Sequence, residues 1–160
     1  MDLILERVDV PEGCNIIFGM SHFIKTIEDL YEAMVNSVPG IKFGLAFNEA
    51  SGPRLVRKDG TDEELILAAV KNLKRIGAGH TFLIIMENAF PLNVLPAIKN
   101  CREVVNIFCA TGNQVQVILA QTEQGRGVLG VIDGESPLGV ELDTQIGQRK
   151  QFLMDIGYKR

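Results

Sequence analysis

The stretch TDEELILAAVKNLKRIGAGHTFLIIM, residues 61–86, decides the fold class. Thr61 followed by Asp62, Glu63 and Glu64 reads as a capping box, with Thr61 as N-cap and Glu64 in the reciprocal position. The helix it opens runs through LILAAVKNLKRI and stops at Gly77. Lys71, Lys74 and Arg75 lie near the negative end of its dipole. Thr81 to Met86 is then apolar on both faces, the signature of a central strand. A helix feeding a fully buried strand is the repeating unit of an α/β protein.

Working outward, the same alternation continues. Toward the C-terminus, Asn93 to Asn100 reads as a short helix capped by Asn93, with Pro96 tolerated in its first turn. Val104 to Cys109 is a buried strand. Val115 to Gln121 and Val128 to Asp133, joined by TEQGRG, form a hairpin. Asp143 caps a last helix whose Ile146, Phe152, Leu153 and Ile156 share a face. Toward the N-terminus, Leu3 to Val10 alternates like a half-buried strand, and Asn15 to Met20 is a second strand. Phe23, Ile27, Leu30, Met34 and Val38 recur at helical spacing behind Thr26 as N-cap, until Pro39-Gly40 ends the helix. Ile41 to Phe47 and Arg54 to Arg57 are further strands. The expected architecture is a mostly parallel or mixed sheet with helices on its faces, the C-terminal hairpin making it mixed.

Composition narrows the function. At 160 residues and 17.6 kDa the chain is sized for one domain, residues 1–160. A net charge of −4 with interspersed signs speaks against nucleic-acid binding, which needs a basic face. No apolar run reaches the ~18–20 residues that span a bilayer. The N-terminus lacks the pattern of a signal peptide, so a cytoplasmic location is expected. Cys14, Cys101 and Cys109 are odd in number and lack zinc-site spacing, which supports neither disulfides nor a metal site.

In a parallel α/β sheet, ligands sit beyond the carboxyl ends of the strands. Four loops qualify: Met20 to His22, Asn48 to Gly52, Glu87 to Phe90, and Ala110 to Asn113. His22 offers a base or nucleophile toward phosphorus, with Lys25 to neutralise charge, although a loop histidine bonded to the backbone reads the same way. His80 starts a strand, at the end away from that crevice, and ranks below His22. Asn48, Glu49 and Ser51 can read a ribose or base, or simply make a turn. Asn88 is another strand-end amide. Gly125, Arg126 and Gly127 suit a phosphate, and equally a glycine-rich hairpin. GRGVLG leads into a strand, not a helix, so it is no dinucleotide fingerprint, and no P-loop kinase motif is present.

The segments GMSHFIKT, FGLAFNEASGPRLVR, IGAGHTFLIIMENAFPLNVLPAIK and TEQGRGVLGVIDG, in this order, resemble the adenosine-specific kinases of archaea and bacteria over nearly the whole chain. The resemblance implies a three-layer α/β domain, so the expected fold is a single-domain three-layer α/β/α with a mixed sheet. It further implies binding of adenosine and AMP, a homo-oligomer (trimer or hexamer), and phosphotransfer through a phosphorylated histidine. Carried over by motif, it points to His22, Lys25 and His80 for catalysis, and to Asn48, Glu49, Ser51, Asn88, Arg126 and Gly127 for ligand. No motif specifies a cofactor, and magnesium accompanying a nucleotide phosphate donor is the candidate. A non-catalytic AMP or adenosine sensor, and a phosphatase trapping a phosphohistidine, are the competing readings.

Overall fold

A computed structural model describes residues 1–160. In chain order the elements are β1 (Asp2–Val8), β2 (Asn15–Ser21), α1 (Thr26–Ser37), β3 (Lys42–Asn48), β4 (Val56–Gly60), α2 (Glu63–Ile76), β5 (Thr81–Glu87), α3 (Pro91–Lys99), β6 (Val104–Thr111), β7 (Val115–Gln121), β8 (Arg126–Asp133) and α4 (Asp143–Asp155). No helix is long and apolar enough to cross a membrane.

The strands form two sheets, β4-β3-β5-β2-β6 and β1-β7-β8. Every ladder in both is antiparallel, which corrects the expected mixed sheet. The one parallel pairing is an isolated bridge between Ala78 and Arg126, where the two sheets meet. Strand TFLIIM is central as expected, paired with β2 on one side and β3 on the other. Its apolarity on both faces reflects cover on both faces, not parallel neighbours. On one side Ile17, Phe43, Phe47, Phe82 and Ile84 pack under Leu30 and Met34 of α1 and Val94 and Ile98 of α3. On the other, Ile16, Phe18, Leu83 and Ile85 meet Ala69, Leu73 and Ile76 of α2, together with Val115, Val117 and Leu119 of β7. Each fully buried large side chain contributes about 1.5–3 kcal/mol relative to exposure.

Helix α2 joins the two sheets. The Asn72 side chain accepts from the Asp9 N–H (2.8 Å) and donates to the Asp9 carbonyl (2.9 Å), holding the end of β1 against the helix. Arg75 pairs with Asp9 (2.8 Å) and with Glu6 (3.6 Å). At the start of α2 the cap is Asp62, whose carboxylate accepts from the Leu65 N–H at 3.1 Å. Thr61 instead donates to the Ile41 carbonyl (2.7 Å) and accepts from the Phe43 N–H (3.1 Å), so its hydroxyl belongs to the sheet. The stop at Gly77 is as read: φ is 62° and its N–H bonds the Leu73 carbonyl at 2.9 Å.

Other helix starts shift in the same way. Thr26 is the first residue of α1, not its cap, and its buried hydroxyl bonds Ser21 Oγ and the Phe23 carbonyl. Asn93 lies inside α3, and its side chain reaches back to the Phe90 N–H at 2.9 Å. Asp143 is likewise inside α4, where Gln145 accepts from the Leu142 N–H. α4 differs from the other helices in burying no residue, and Leu138, Val140, Leu142 and Phe152 around it are all exposed.

The seat of α2 on the sheet depends on Gly44. A Cβ there would lie 2.0 Å from the Leu65 carbonyl carbon and 2.2 Å from the Ile66 nitrogen. Backbone cannot yield as a flexible side chain can. Gly44→Ala is therefore expected to lose about 3 kcal/mol or more, or to fail to fold, as measured by urea denaturation. Stability within about 0.5 kcal/mol of wild type would contradict this packing.

Candidate functional site

A crevice of about 840 Å³ opens where the main sheet, the end of α2 and the β7–β8 hairpin converge. That volume lies within the range of small-molecule sites. Met20, Asn48 and His80 contribute from the main sheet, Lys74 and Gly77 from α2, and Arg126 and Gly127 from the hairpin. Glu49 and Arg54 come from the β3–β4 connection. The lining brings together Asn48, Glu49, Arg126 and Gly127 and adds His80, which the sequence reading put at the far end of its strand, while His22, Lys25, Ser51 and Asn88 lie outside it.

Strand direction explains the inclusion of His80 and the exclusion of Asn88. In an antiparallel sheet the carboxyl ends alternate, so the four expected loops split between two edges. The carboxyl ends of β2 and β3 lie beside the amino end of β5, with Met20 opposite Thr81 and Phe47 opposite Phe82. His80 therefore stands at the same sheet edge as Asn48, against the placement inferred from a parallel sheet. The loops after β5 and β6 occupy the opposite edge. There Asn88, at φ 53°, accepts from the Lys42 N–H (3.0 Å) and donates to the Gly40 carbonyl (3.3 Å). It latches the start of β3, far from the crevice.

His80 is fixed from both sides. Its N–H donates to the Asn48 carbonyl and its own carbonyl accepts from the Ser21 N–H, both at 2.8 Å. Between these anchors the backbone turns to φ 63°, a left-handed conformation unusual for a residue with a side chain. The imidazole lies nearly parallel to Phe47, with ring centroids 5.9 Å apart and planes 12° from parallel. Arg54, at φ 49°, is a second strained residue of the lining. Such strain clusters at functional sites.

Asn48 has a structural duty. Its amide nitrogen donates toward the carbonyls of Leu73 and Ala78 (both 3.1 Å) and Thr81 Oγ1 (3.3 Å). Arg126 is also engaged: Nε donates to Gln121 (2.8 Å), and Nη1 to the carbonyls of Arg75 (2.7 Å) and Ile76 (3.3 Å). It thereby caps the orphan carbonyls at the end of α2 and leaves Nη2 facing no protein acceptor. Glu49, the one carboxylate of the lining, is paired with Arg57 at 3.3 Å. These side chains do not compose a divalent-cation site, and no cluster of three or more His, Cys, Asp or Glu forms elsewhere. Nothing within 4 Å would obstruct a Cβ at Gly127, so the chain's own packing does not demand glycine there. Ser51 is exposed in the adjoining turn, its carbonyl accepting from the Arg54 N–H at 3.1 Å. Lys74 and Met20 also line the crevice, although the pattern of the sequence assigned one to the helix dipole and the other to the end of a strand.

His22 is exposed, and its N–H donates to the Glu103 carbonyl at 3.1 Å. Lys25 bridges Asp29 and Glu103, the latter at 3.6 Å, on a separate groove between α1 and α3. Glu103 is only 1% exposed, and neither of its carboxylate oxygens accepts a hydrogen bond. A buried acid with this environment has no signature in the sequence. Burial first, and then Asp29, push the Glu103 carboxyl above the usual carboxylate range, while Lys25 opposes the shift. Burial also raises the thiols of Cys101 and Cys109 to about 11, which keeps both protonated.

Because the folded chain holds the Glu103 proton more tightly than the unfolded chain, this group favours folding at acid pH. That contribution is lost as pH rises through the raised value. Glu103→Gln keeps the shape and removes the titration. Its melting temperature should match wild type at acid pH, rise above it as pH passes through the raised value, and keep that lead at higher pH. Parallel pH profiles for the two proteins would contradict the assignment.

The family model described as "Adenosine specific kinase" matches residues 6–159. Among solved structures, the crystal structure of the PH1918 protein from Pyrococcus horikoshii OT3 matches at a TM-score of 0.95 and 46% sequence identity. The match covers 99% of this chain and 98% of that one. No curated protein matches.

Proposed function

Given that the chain belongs to the adenosine-specific kinase family, we propose that its crevice binds adenosine and AMP and that His80 carries the phosphoryl group. The observation that supports this most is the convergence on one crevice of a pinned, left-handed histidine with the side chains of Arg54, Lys74 and Arg126. The cations offset the charge that a transferring phosphoryl group spreads over its oxygens. The imidazole lone pair of His80 attacks phosphorus, and the donor's leaving oxygen departs with the bonding pair. A hydroxyl of adenosine then takes the phosphoryl group, and its proton passes to the nitrogen that phosphorus leaves. His80 replaces His22 in this role because it lines the crevice and His22 does not.

Intact-mass measurement after treatment with a phosphoryl donor tests the assignment. Wild type and His22→Asn should gain one acid-labile phosphate, and His80→Asn should gain none. A gain that persists in His80→Asn overturns the histidine. Binding of AMP and adenosine with no gain in wild type would leave a non-catalytic sensor.

Self-association belongs to the same reading. The segment from Leu138 to Tyr158 carries seven exposed large apolar side chains: Leu138, Val140, Leu142, Phe152, Met154, Ile156 and Tyr158. An isolated helix of the length of α4 is marginal in water without an apolar face to bury. Leu3, Leu5 and Leu129 on the small sheet are also exposed, and a second copy supplies a partner for both surfaces. Light scattering at micromolar concentration should give a multiple of the 17.6 kDa chain. A monomeric mass would count against it.

A further inference from the structure

The crevice holds an uncompensated positive charge in a chain whose net charge is −4. Its only carboxylate, Glu49, is taken by Arg57. Seven ion pairs form in the molecule, and neither Arg54 nor Lys74 takes part in any. The two approach the crevice from different walls, Arg54 from the β3–β4 connection and Lys74 from the last turn of α2. Both side chains are exposed, so neither charge has been desolvated without a partner.

Ordinary structural duties do not account for them. A lysine in the last turn of a helix commonly serves the terminal carbonyls. Here Arg126 already donates to the carbonyls of Arg75 and Ile76, so Lys74 is released from that task. Arg54 adopts φ 49°, a conformation in which glycine is at ease and any side chain costs free energy. The turn itself therefore gains nothing from an arginine at this position. What an arginine adds is a planar fork of donors that fits phosphate oxygens.

We infer that Arg54 and Lys74 form the phosphate-binding pair of the crevice, closing from two walls on the doubly charged phosphate monoester of a nucleotide. This rests on the reading that the crevice holds AMP. It gives Arg126, the phosphate ligand expected from sequence, the separate work of holding α2 to the hairpin. Adenosine, which lacks the phosphate, binds without the pair.

Calorimetric titration of wild type, Arg54→Gly and Lys74→Met with AMP, adenosine and inorganic phosphate tests the inference, with a thermal melt of each protein. Each variant should bind AMP about 10–100-fold more weakly, the scale of one charge-assisted contact, and adenosine within about twofold of wild type. Arg54→Gly should melt no lower than wild type, because glycine relieves the strained turn. AMP affinity unchanged in either variant overturns the pair. So does an equal loss for AMP and adenosine, which would mean a collapsed site. Binding of inorganic phosphate but no nucleoside by wild type, lost in both variants, would uphold the pair and sink the adenosine reading. Failure of wild type to bind either AMP or phosphate overturns both.

Discussion

The side-chain amide of Asn48 organises the functional end of the molecule. Its nitrogen is shared among the end of α2 at Leu73, the turn at Ala78 and the first residue of β5 at Thr81. It sits 7% exposed, where its own amide, left unpaired, would cost about 1–3 kcal/mol. One residue at the carboxyl end of β3 thus sets how a helix stops and where the next strand begins. Its main-chain carbonyl then takes the His80 N–H, so the same residue places the histidine. The positive φ of His80 follows from this geometry, since the chain must reverse within three residues of Gly77 and still meet Ser21.

Around that hub, charge is distributed in two tiers. The carbonyl end of α2 points at the crevice and by itself repels anions. Arg126 neutralises it through direct bonds to the last carbonyls, and also ties the small sheet to the large one beside the Ala78 bridge. With the helix end satisfied, the cations on the rim act on whatever enters. An arginine used for structure leaves the other cations of the crevice without that duty, and residue type alone does not tell such an arginine from one that is unengaged.

Much of the fold was legible in the sequence, because periodicity reports burial faithfully. TFLIIM, the α2 stripe and the glycine stop at residue 77 all stand where the pattern placed them. Strand direction was not legible. A strand covered on both faces is continuously apolar whether its neighbours run with it or against it, so a central antiparallel strand imitates a parallel one. That single ambiguity misplaced His80 and promoted Asn88, since both arguments depended on which end of each strand faces the site. Hydroxyl caps failed for a related reason. Thr26 and Thr61 are good caps in isolation, but tertiary partners, Ser21 for one and the start of β3 for the other, claimed their hydroxyls. Glu103 was invisible because its burial arises from α1 packing over a distant loop.

The pairing of β1 with β7 carries a consequence for biogenesis. Asp2 to Val8 align with Gln121 to Val115, so β1 pairs with a strand that leaves the ribosome long after it. At about 5–20 residues per second, β1 waits on the order of 6–20 s for its neighbour to be synthesised. Through that interval Leu3, Ile4 and Leu5 lie on an unpaired edge, open to chaperones and to other nascent chains. Glu6 and Arg7, and Asp2 at the start, keep the strand charged during the wait, which is how exposed edges resist pairing with the wrong partner. The large sheet, complete once β6 emerges, can fold first and present α2 as the surface on which the late sheet assembles.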